Sequence, residues 1–310
     1  MSTQILTRSL SGRRCLITGA TGFLGAYVVR RLAEAGVRVT AQTRSGAALV
    51  DSLAIDTIQG DMTEPGWSHR VCNEWRWDDV VHLAGGVSKV ASAGFAGESQ
   101  VARAHVNLAL AMSQAIPDKF SGRVVHASSM TVYGAAAALP VKETQPLAPS
   151  FLYAFGKALA EDVWRSSSHA DLWLLRFSGL FSATRKSGAL FHFVRAGLAH
   201  QPIRVAAREP TLWDVLHVED AADAVVRALA SGVRFRGAMN VSYGEVVQLE
   251  QVARRIAALT GGSEVVNEGG IEHPPFQLDI SLARERLGWP PASLDDRLRA
   301  LVSELGALRD

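Results

Sequence analysis

Short apolar runs alternate with longer segments of helical period along the first 176 residues of the chain. This alternation is typical of a parallel α/β sheet, because each helix supplies the crossover that returns the chain to the same edge. We therefore predict a parallel sheet with helices between its strands. The predicted strands are 14–18, 37–42, 80–83, 124–127 and 172–176, and the longest predicted helices are 23–35, 100–116 and 153–166.

A glycine-rich turn joins the first predicted strand to the first predicted helix. Gly19, Gly22 and Gly25 form a G-x-x-G-x-x-G pattern directly after the strand. Glycines here allow a tight turn and a close approach of backbone N–H groups to a pyrophosphate, and the helix N-terminus stabilises the anion. The spacing departs from G-x-G-x-x-G, but the strand before it and the helix after it are the context that a dinucleotide site needs. We predict a Rossmann-type, doubly wound parallel sheet.

The chain is predicted to divide into two regions after the fifth strand. Residues 13–176 form the dinucleotide-binding region, and residues 177–310 form a smaller α/β substrate-binding region with some segments returning to the first sheet. The elements predicted in the second region are helices at 190–199, 221–230, 249–259 and 293–305 and short strands at 203–205 and 215–216. Residues 1–12 lack the apolar stretch of a signal peptide, and we expect a loose tail there.

Thr43 and Arg44 come at the end of the second predicted strand, where an acidic residue would bind the ribose 2′-hydroxyl of NAD. An arginine at this place can bind the 2′-phosphate of NADP, so the pair favours NADP(H), with NAD(H) possible. A solvated surface arginine is the alternative interpretation. Asp61, after a third short strand, either accepts a hydrogen bond from the adenine amino group or caps the following helix.

The candidate chemistry is in Tyr153 and Lys157, which a four-residue spacing places on one face of a helix. A free tyrosine has a pKa of about 10, and a neighbouring lysine stabilises the phenolate, so the phenol can exchange a proton at an alcohol carbon. Ser129 ends a buried strand 24 residues before Tyr153. We expect the hydroxyl, the phenol and the ammonium to converge beside the cofactor site.

Composition restricts the other functional classes. The formal net charge is +2, with charged residues at 20% and interspersed, which does not favour nucleic-acid binding. Cys15 and Cys72 cannot form a disulfide framework, and no Cys/His spacing resembles a metal site. No run approaches the ~20 apolar residues of a membrane span. We expect a cytoplasmic, globular protein without a metal and with a small-molecule substrate.

Together these motifs resemble the extended short-chain dehydrogenase/reductases, also called the NAD-dependent epimerase/dehydratase family. The resemblance covers nearly the whole chain and implies an enzyme. In it Ser129 would bind the substrate oxygen, Tyr153 would be the acid/base, and Lys157 would lower the pKa of Tyr153 and hold the nicotinamide ribose. The motifs are TGATGFLG at 18–25, GDM at 60–62, VVHLAG at 80–85, Asn107, SSMTVYG at 128–134, YAFGK at 153–157, LLR at 174–176, VLHVEDAADAV at 215–225 and DISLARERLGWP at 279–290.

The expected contacts follow from these motifs and that resemblance. The residues expected to bind the cofactor are Gly19, Thr21, Gly22, Phe23, Leu24, Gly25, Thr43, Arg44, Asp61, Met62, Leu83, Ala84, Gly85, Tyr153 and Lys157. The residues expected to line the substrate are Ser129, Met130, Thr131, Gly179 and Trp213.

Departures from the family pattern bear on the substrate. Met130 and Thr131 replace the Asp-Glu pair that would supply the acid and base of a dehydratase, so dehydration is disfavoured. Trp213 replaces an arginine that grips the diphosphate in sugar-nucleotide epimerases, and Gly179 replaces an asparagine. Other arginines could bind the diphosphate in place of the one missing at Trp213, and the spacing does not select among them. They are Arg185, Arg195, Arg204 and Arg208.

Two enzymatic functions and one non-enzymatic function fit the sequence. The one we favour is the NADP(H)-dependent reduction of a keto group, or oxidation of the secondary alcohol, on a sugar or nucleotide-sugar, because Arg44 favours an exchangeable NADP. The alternative is a nucleotide-sugar epimerase with tightly bound NAD. A non-catalytic nucleotide sensor is disfavoured because Ser129, Tyr153 and Lys157 are intact.

The resemblance also implies a homodimer through helices 100–116 and 153–166, on faces that include Ala104, Leu108, Ala111, Ala158 and Val163.

Overall fold

Seven parallel strands form the central sheet of the protein, in the order β3-β2-β1-β4-β5-β6-β11. The computed structural model describes residues 9–44, 46, 55–74, 76–85, 94–135, 138–208, 212–245, 247–271, 275–289 and 292–308. The strands of this sheet are β1 (Arg14–Thr18), β2 (Arg38–Thr43), β3 (Asp56–Gln59), β4 (Asp79–His82), β5 (Arg123–Ser129), β6 (Leu172–Phe177) and β11 (Arg236–Val241). The strand order reverses between β1 and β4, and such a switch point opens a crevice at the carboxyl ends of the strands. The predicted Rossmann-type sheet is confirmed.

Helices cover both faces of the sheet because successive strand residues point to opposite sides. Leu16 of β1 belongs to one apolar cluster and Ile17 to the other, and Val80 and Val81 of β4 divide in the same way. The helices of this region are α1 (Phe23–Glu34), α2 (Trp67–Glu74), α3 (Gly94–Ala115) and α4 (Leu152–Ser166). A pair formed by α3 and α4 packs on one face, and α1 packs on the other.

Three two-stranded sheets and five helices build the second region within the described residues. The strands are β7 (Gly179–Phe181), β8 (Ile203–Ala207), β9 (Leu212–Trp213), β10 (Val215–His217), β12 (Val247–Gln248) and β13 (Val265–Ile271). They pair as β7 with β10 and β8 with β13, both parallel, and β9 with β12, antiparallel. The helices are α5 (Ala189–Leu198), α6 (Val218–Ala230), α7 (Leu249–Leu259), α8 (Ser281–Leu287) and α9 (Leu294–Ala307).

The chain does return to the first sheet, as the sequence allows. β11 pairs with β6 from Arg236 to Val241 and forms an edge of the sheet, and α6 packs beside α1 on its face. One apolar cluster therefore runs from that face of the sheet into the second region. At the other terminus Leu10 is fully buried and the Gly12 N–H donates to the Gly36 carbonyl at 2.8 Å. The last part of the predicted tail is thus packed on the sheet, because Leu10 supplies apolar surface to its core.

Some predicted elements differ from the structure at their ends. α3 begins at Gly94, six residues before the predicted start. α2 is the helix expected to follow Asp61, and its bounds could not be predicted because its sequence is mostly polar. One residue named for the predicted self-association faces lies in the core instead. Ala158 is buried in the core, whereas Leu110, Phe155 and Leu159 are exposed on α3 and α4.

No helix in the described ranges is long and apolar enough to cross a membrane. Nor do the described His, Cys, Asp and Glu side chains form a group of three or more that could hold a metal ion.

Candidate active site

The glycine turn lies between β1 and α1, at the switch point of the sheet. Gly19 has a φ of +70°, and a Cβ on it would lie 2.6 Å from the Ala84 backbone nitrogen. A Cβ on Gly25 would lie 2.1 Å from the Gly19 carbonyl oxygen, so α1 can pack against the turn only with glycine there. Gly22 is the N-cap of α1, and its N–H donates to the Gly19 carbonyl at 2.9 Å.

The first turn of α1 is arranged to receive an anion. It has no side-chain cap and no acidic residue, so the N–H groups that begin the helix are available to a phosphate oxygen. Thr21 is exposed on the turn, whereas Phe23 and Leu24 are half-buried at its inner side. These features fit the diphosphate of a dinucleotide.

The end of β2 forms the next part of the crevice. Thr43 is buried, and its hydroxyl accepts a hydrogen bond from the Gly46 N–H at 3.1 Å. Arg44 is exposed, and its positive charge is one of the factors that lower the pKa of Asp61. The Asp61 carboxylate accepts hydrogen bonds from the N–H and hydroxyl of Thr63, which are the main cause of that lower pKa. Asp61 therefore stabilises its own turn. It does not cap the following helix, which begins only at Trp67, and its contact with adenine stays a prediction.

Two backbone segments complete the predicted cofactor lining. The side chain of Met62 is buried in the core, so it presents almost no surface to a ligand in the crevice. After β4, Leu83 and Ala84 are tied to β1 because their N–H groups donate to the carbonyl and the hydroxyl of Thr18, at 3.1 and 3.4 Å. Gly85 follows with a φ of +145° and is exposed.

Ser129, Tyr153 and Lys157 converge at the carboxyl edge of the sheet, as predicted. Ser129 is the last residue of β5, and its hydroxyl lies close enough to the phenol of Tyr153, near the start of α4, to favour the phenolate. One turn later, Lys157 is buried, and its ammonium donates to the Ala127 carbonyl at 2.7 Å. The Thr131 hydroxyl donates to the Ser129 oxygen at 3.0 Å, which orients the Ser129 side chain.

The electrostatics of Tyr153 differ from the expectation. Burial raises the pKa of Tyr153 above its ordinary value, while the hydrogen bond with Ser129 and the positive charge of Arg185 act in the opposite direction. Burial also lowers the pKa of Lys157 to about 8, against the negative charge of Glu161. The expected lowering of the Tyr153 pKa by Lys157 is therefore not found. Desolvation of the phenolate prevails, because packed side chains cover part of the half-buried Tyr153 and leave its phenol less water than a free tyrosine has.

A buried ion network lies behind Lys157. Glu161 is fully buried and accepts hydrogen bonds from Arg176 at 2.9 and 2.6 Å, from Arg165 at 2.7 Å and from the Ser128 hydroxyl. Arg176 also donates to the Tyr133 hydroxyl at 2.7 Å. The two guanidinium groups neutralise Glu161, because a buried carboxylate without partners would be strongly unfavourable. Arg176 is thus a structural member of this network.

Two buried histidines beneath the site are held neutral. His82 of β4 and His126 of β5 are cross-strand neighbours, with stacked rings whose centroids lie 5.3 Å apart. Burial lowers the pKa of His82 to about 3, and burial followed by the Lys157 charge holds the pKa of His126 well below its usual range. These rings therefore add no positive charge beside Lys157 at neutral pH.

The predicted substrate residues lie at the start of the second region and on the turn after β5. Met130 and Thr131 are half-buried in the short 3-10 helix that follows Ser129, and Gly179 begins β7. Trp213 is half-buried in β9 and packs on the apolar cluster. Next to Trp213, Asp214 ties the region together, because it accepts a hydrogen bond from the Leu278 N–H at 2.8 Å.

The structure gives contacts for three of the four arginines that could replace the missing diphosphate ligand, Arg185, Arg195 and Arg204. Arg204 is paired with Glu268. Arg195 lies over the ring of Phe191 on α5. Arg185 reaches across the crevice to the glycine turn, where its guanidinium lies 5.5 Å from the centre of the Phe23 ring. Among the contacts given for these arginines, the one between Arg185 and Phe23 involves a predicted cofactor residue.

His105 is the site residue that the sequence interpretation missed. Asn107, which belonged to the family motifs, is exposed on α3, whereas His105 is buried and its ring meets that of Tyr153 edge-on at 5.3 Å. A signal was present: Val101, His105 and Ala109 recur on the buried stripe of α3, so the periodicity placed a histidine on an apolar face.

Comparisons with known proteins agree with this geometry. The sequence matches the NAD dependent epimerase/dehydratase family over residues 15–242. A UDP-glucose 4-epimerase from Azospirillum brasilense is 25% identical over 316 residues, covering 93% of this chain and 90% of that protein.

Two solved structures show the same fold. The UDP-glucose 4-epimerase of Thermotoga maritima, solved with UDP-glucose, superposes with a TM-score of 0.81 at 21% identity and covers 96% of this chain and 100% of its own. The enzyme WbmG of Bordetella bronchiseptica, solved with NAD and UDP, also gives 0.81, at 22% identity, and covers 96% of each chain. The family match spans most of the chain, and the predicted resemblance is confirmed: this protein is an enzyme that belongs to the NAD-dependent epimerase/dehydratase family.

Proposed function

We propose that the protein is a nucleotide-sugar 4-epimerase that uses NAD. The observation that carries the proposal is the meeting of Ser129 and Tyr153 at the carboxyl edge of the sheet, where the His105 ring packs against both the Tyr153 ring and Gly85. The curated UDP-glucose 4-epimerase relative extends over nine-tenths of both sequences, and this favours epimerisation over the keto reduction that the sequence alone favoured.

The nicotinamide supplies hydride acceptance and hydride return at the sugar carbon, and the protein supplies the proton transfers. Tyr153 takes the proton of the sugar hydroxyl on its phenolic oxygen and returns it there, while Ser129 holds the same sugar oxygen by a hydrogen bond. With the cofactor bound, the hydride would return to the opposite face of the keto carbon and the proton to its oxygen, so the carbon would be inverted without net oxidation. Lys157 provides an ammonium on the same helix face, fixed by the Ala127 carbonyl.

Arg185 is our candidate for binding the substrate or cofactor phosphates. Its guanidinium lies over the Phe23 ring of the glycine turn, its positive charge acts on Tyr153, and it is exposed. An arginine binds phosphate oxygens with two charge-assisted hydrogen bonds, which can replace the ligand that Trp213 cannot supply.

The proposal is tested by incubating the purified protein with UDP-glucose, UDP-galactose, UDP-glucuronic acid or UDP-N-acetylglucosamine, each with catalytic amounts of NAD. We expect interconversion of one pair of 4-epimers without net formation of NADH, followed by NMR of the sugar. A sugar deuterated at carbon 4 should keep its deuterium, because the hydride is returned from the cofactor. Consumption of one NADPH per product would contradict the epimerase and support a reductase.

A second candidate function is favoured by Arg44. Its exposed guanidinium at the end of β2 suits the 2′-phosphate of NADP, which favours an exchangeable NADP(H) and a ketoreductase of the same substrate class. Two charge-assisted hydrogen bonds are worth a few kcal/mol in a partly exposed site, or roughly tenfold to a hundredfold in affinity.

Calorimetry with NAD and NADP decides between these cofactors. Under the NADP hypothesis, Arg44→Asp reverses the preference, because the carboxylate repels the phosphate and accepts hydrogen bonds from the ribose hydroxyls. Arg38→Asp is the matched control, since Arg38 is an exposed arginine at the opposite end of β2. Tighter binding of NAD by the parent protein would reject the NADP preference and leave the epimerase.

We also propose a homodimer formed by α3 and α4 with the same helices of a second copy. A groove of about 660 Å³ between these helices is lined by the apolar side chains of Val106, Leu110, Leu159 and Val163 and by polar ones that include Ser113, Asp118 and Asp162. Leu110 is 38% and Leu159 is 52% exposed, which is unusual for leucines on neighbouring helices unless a partner covers them.

A further inference from the structure

Tyr153 is held between two aromatic rings of different exposure. On one side the His105 ring meets the Tyr153 ring edge-on, with centroids 5.3 Å apart and an interplanar angle of 76°. On the other side the Phe151 ring is stacked at 6.2 Å and 16°. His105 is 2% exposed and Phe151 is 45% exposed, so only His105 is fixed by the core.

His105 also touches the turn that follows β4. A Cβ built on Gly85 would lie 2.2 Å from both Cε1 and Nδ1 of His105, so the imidazole fills the space that a side chain there would need. The ring therefore spans from the expected cofactor-lining segment Leu83–Gly85 to the phenol. Any movement of His105 would be transmitted to both.

The helix that carries His105 is held against the helix that carries Tyr153. A Cβ on Gly156 would lie 2.7 Å from the Ala102 Cα, so the backbones of α3 and α4 are in direct contact close to both residues. His105 sits one turn after Ala102, and Tyr153 lies one turn before Lys157 on the facing helix. This close contact gives the imidazole a fixed position relative to the phenol.

We propose that His105 is a positioning residue for Tyr153: its ring, through shape and edge contact, sets the direction of the phenol relative to the turn at Leu83–Gly85. The inference rests on the proposed role of Tyr153 as the acid/base. A displacement of about 1 Å in such a group costs roughly a hundredfold in rate. The ring also keeps water away from the phenol. The pKa of Tyr153 depends on that exclusion and can be measured without substrate.

The test compares His105→Ala with His105→Phe in the full chain. Phenylalanine keeps a ring of similar size at the same place, so we expect it to retain most of kcat, whereas alanine lowers kcat by about 10²-fold with a small change in KM. His169→Ala and His169→Phe are matched controls, because His169 is a buried imidazole with ring contacts to Phe120 and Trp164 at the opposite edge of the sheet. Both control variants should keep kcat, even where stability falls.

The second readout is the titration of Tyr153, followed by NMR of protein with carbon-13-labelled tyrosine and assigned with Tyr153→Phe. Burial raises the pKa of Tyr153, so His105→Ala, which admits water, should lower that pKa, and His105→Phe should leave it raised. The other groups that act on the pKa of the phenol, Ser129 and Arg185, are the same in all variants, and so is Lys157 one turn later on α4.

Two results would overturn the inference: an unchanged kcat and Tyr153 titration in His105→Ala, or a His105→Phe variant that folds but is no better than alanine. Failure of the proposed function looks different. If Tyr153→Phe remains active, the acid/base role is wrong, whatever the titration shows.

Discussion

At the scale of single residues, the chemistry depends on one phenolic oxygen and one ammonium. Tyr153→Phe removes the oxygen that exchanges the proton and leaves the ring between His105 and Phe151. We expect kcat to fall by at least ~10²-fold, the usual loss of a general acid/base, with cofactor affinity unchanged by calorimetry. Tyr27→Phe is the control, because it removes a hydroxyl that bonds to Thr184 on the exposed side of α1. Near-parent activity of Tyr153→Phe would exclude the phenol from the mechanism.

Lys157→Ala should behave differently from Tyr153→Phe. The lysine is buried and its ammonium is held by the Ala127 carbonyl, so its loss leaves a polar gap beneath the cofactor position as well as beside the phenol. We expect both a lower rate and weaker cofactor binding. If calorimetry gives the parent affinity, Lys157 acts on the phenol alone.

How far the sequence predicts single residues depends on whether the cause is local. The helix spacing of Tyr153 and Lys157 and the strand end at Ser129 are local features, and these three residues do meet in the structure. The direction of the Tyr153 pKa is not local, because it depends on how much water the assembled core leaves at the phenol. The periodicity of α3 predicts that His105 is buried. It does not predict the contact with Tyr153 on α4, because only the packed fold brings the two helices together.

At the scale of elements, the contact of α3 with α4 depends on Gly156. Alanine is normally the better helix former by up to about 1 kcal/mol, but a Cβ here would enter the backbone of Ala102. We expect Gly156→Ala to lower the free energy of unfolding by about 1 to 3 kcal/mol, as overpacking does, and to lower kcat because Tyr153 shifts. Gly306→Ala in α9 is the control, since no atom lies within 4 Å of its Cβ position and the change should be neutral or stabilising. Equal urea midpoints for both variants would contradict the close-contact argument.

Asp214 gives the link between β9 and β10 a predictable dependence on pH. Burial raises the pKa of Asp214 to about 7, while the unfolded chain has an ordinary aspartate pKa near 4. The folded state therefore binds more protons between about pH 4 and 7, and this group's contribution to stability is present below pH 4 and is lost as pH rises to about 7. The loss is about 2 to 4 kcal/mol.

Asp214→Asn isolates that contribution. The amide oxygen can still accept the hydrogen bond of the Leu278 N–H, but it does not ionise. We expect urea unfolding of the variant to show a smaller decline in stability from pH 4 to 7 than the parent protein, with the difference confined to that range. Parallel curves for the two proteins would mean that Asp214 remains ionised when folded.

Some strands of the central sheet can be predicted from their own sequence and others cannot. Continuous apolar runs predicted β1, β4, β5 and β6 almost to the residue, because buried parallel strands need apolar side chains on both faces. β11 has glycine and asparagine in its interior and three half-buried or exposed positions, so it carries no such run. Its place at the sheet edge is decided by pairing with β6, which is a contact between distant parts of the chain.

At the scale of the whole molecule, the exposed apolar stripe of α3 and α4 predicts the assembly. Leu110, Phe155 and Leu159 lie on neighbouring helices beside the groove, and covering them with the same surface of a second copy would form a two-fold interface. Stable interfaces bury about 1,600 Å² in total, which a four-helix contact of this length can supply. We expect light scattering at micromolar concentration to give twice the chain mass of 33.2 kDa.

Leu159→Glu should produce the monomer, because it places a charge in the covered stripe. Leu308→Glu is the control, at a leucine that is 71% exposed at the end of α9, and it should leave the dimer intact. A parent protein that scatters as a single chain at that concentration would reject the dimer and leave the stripe to another partner.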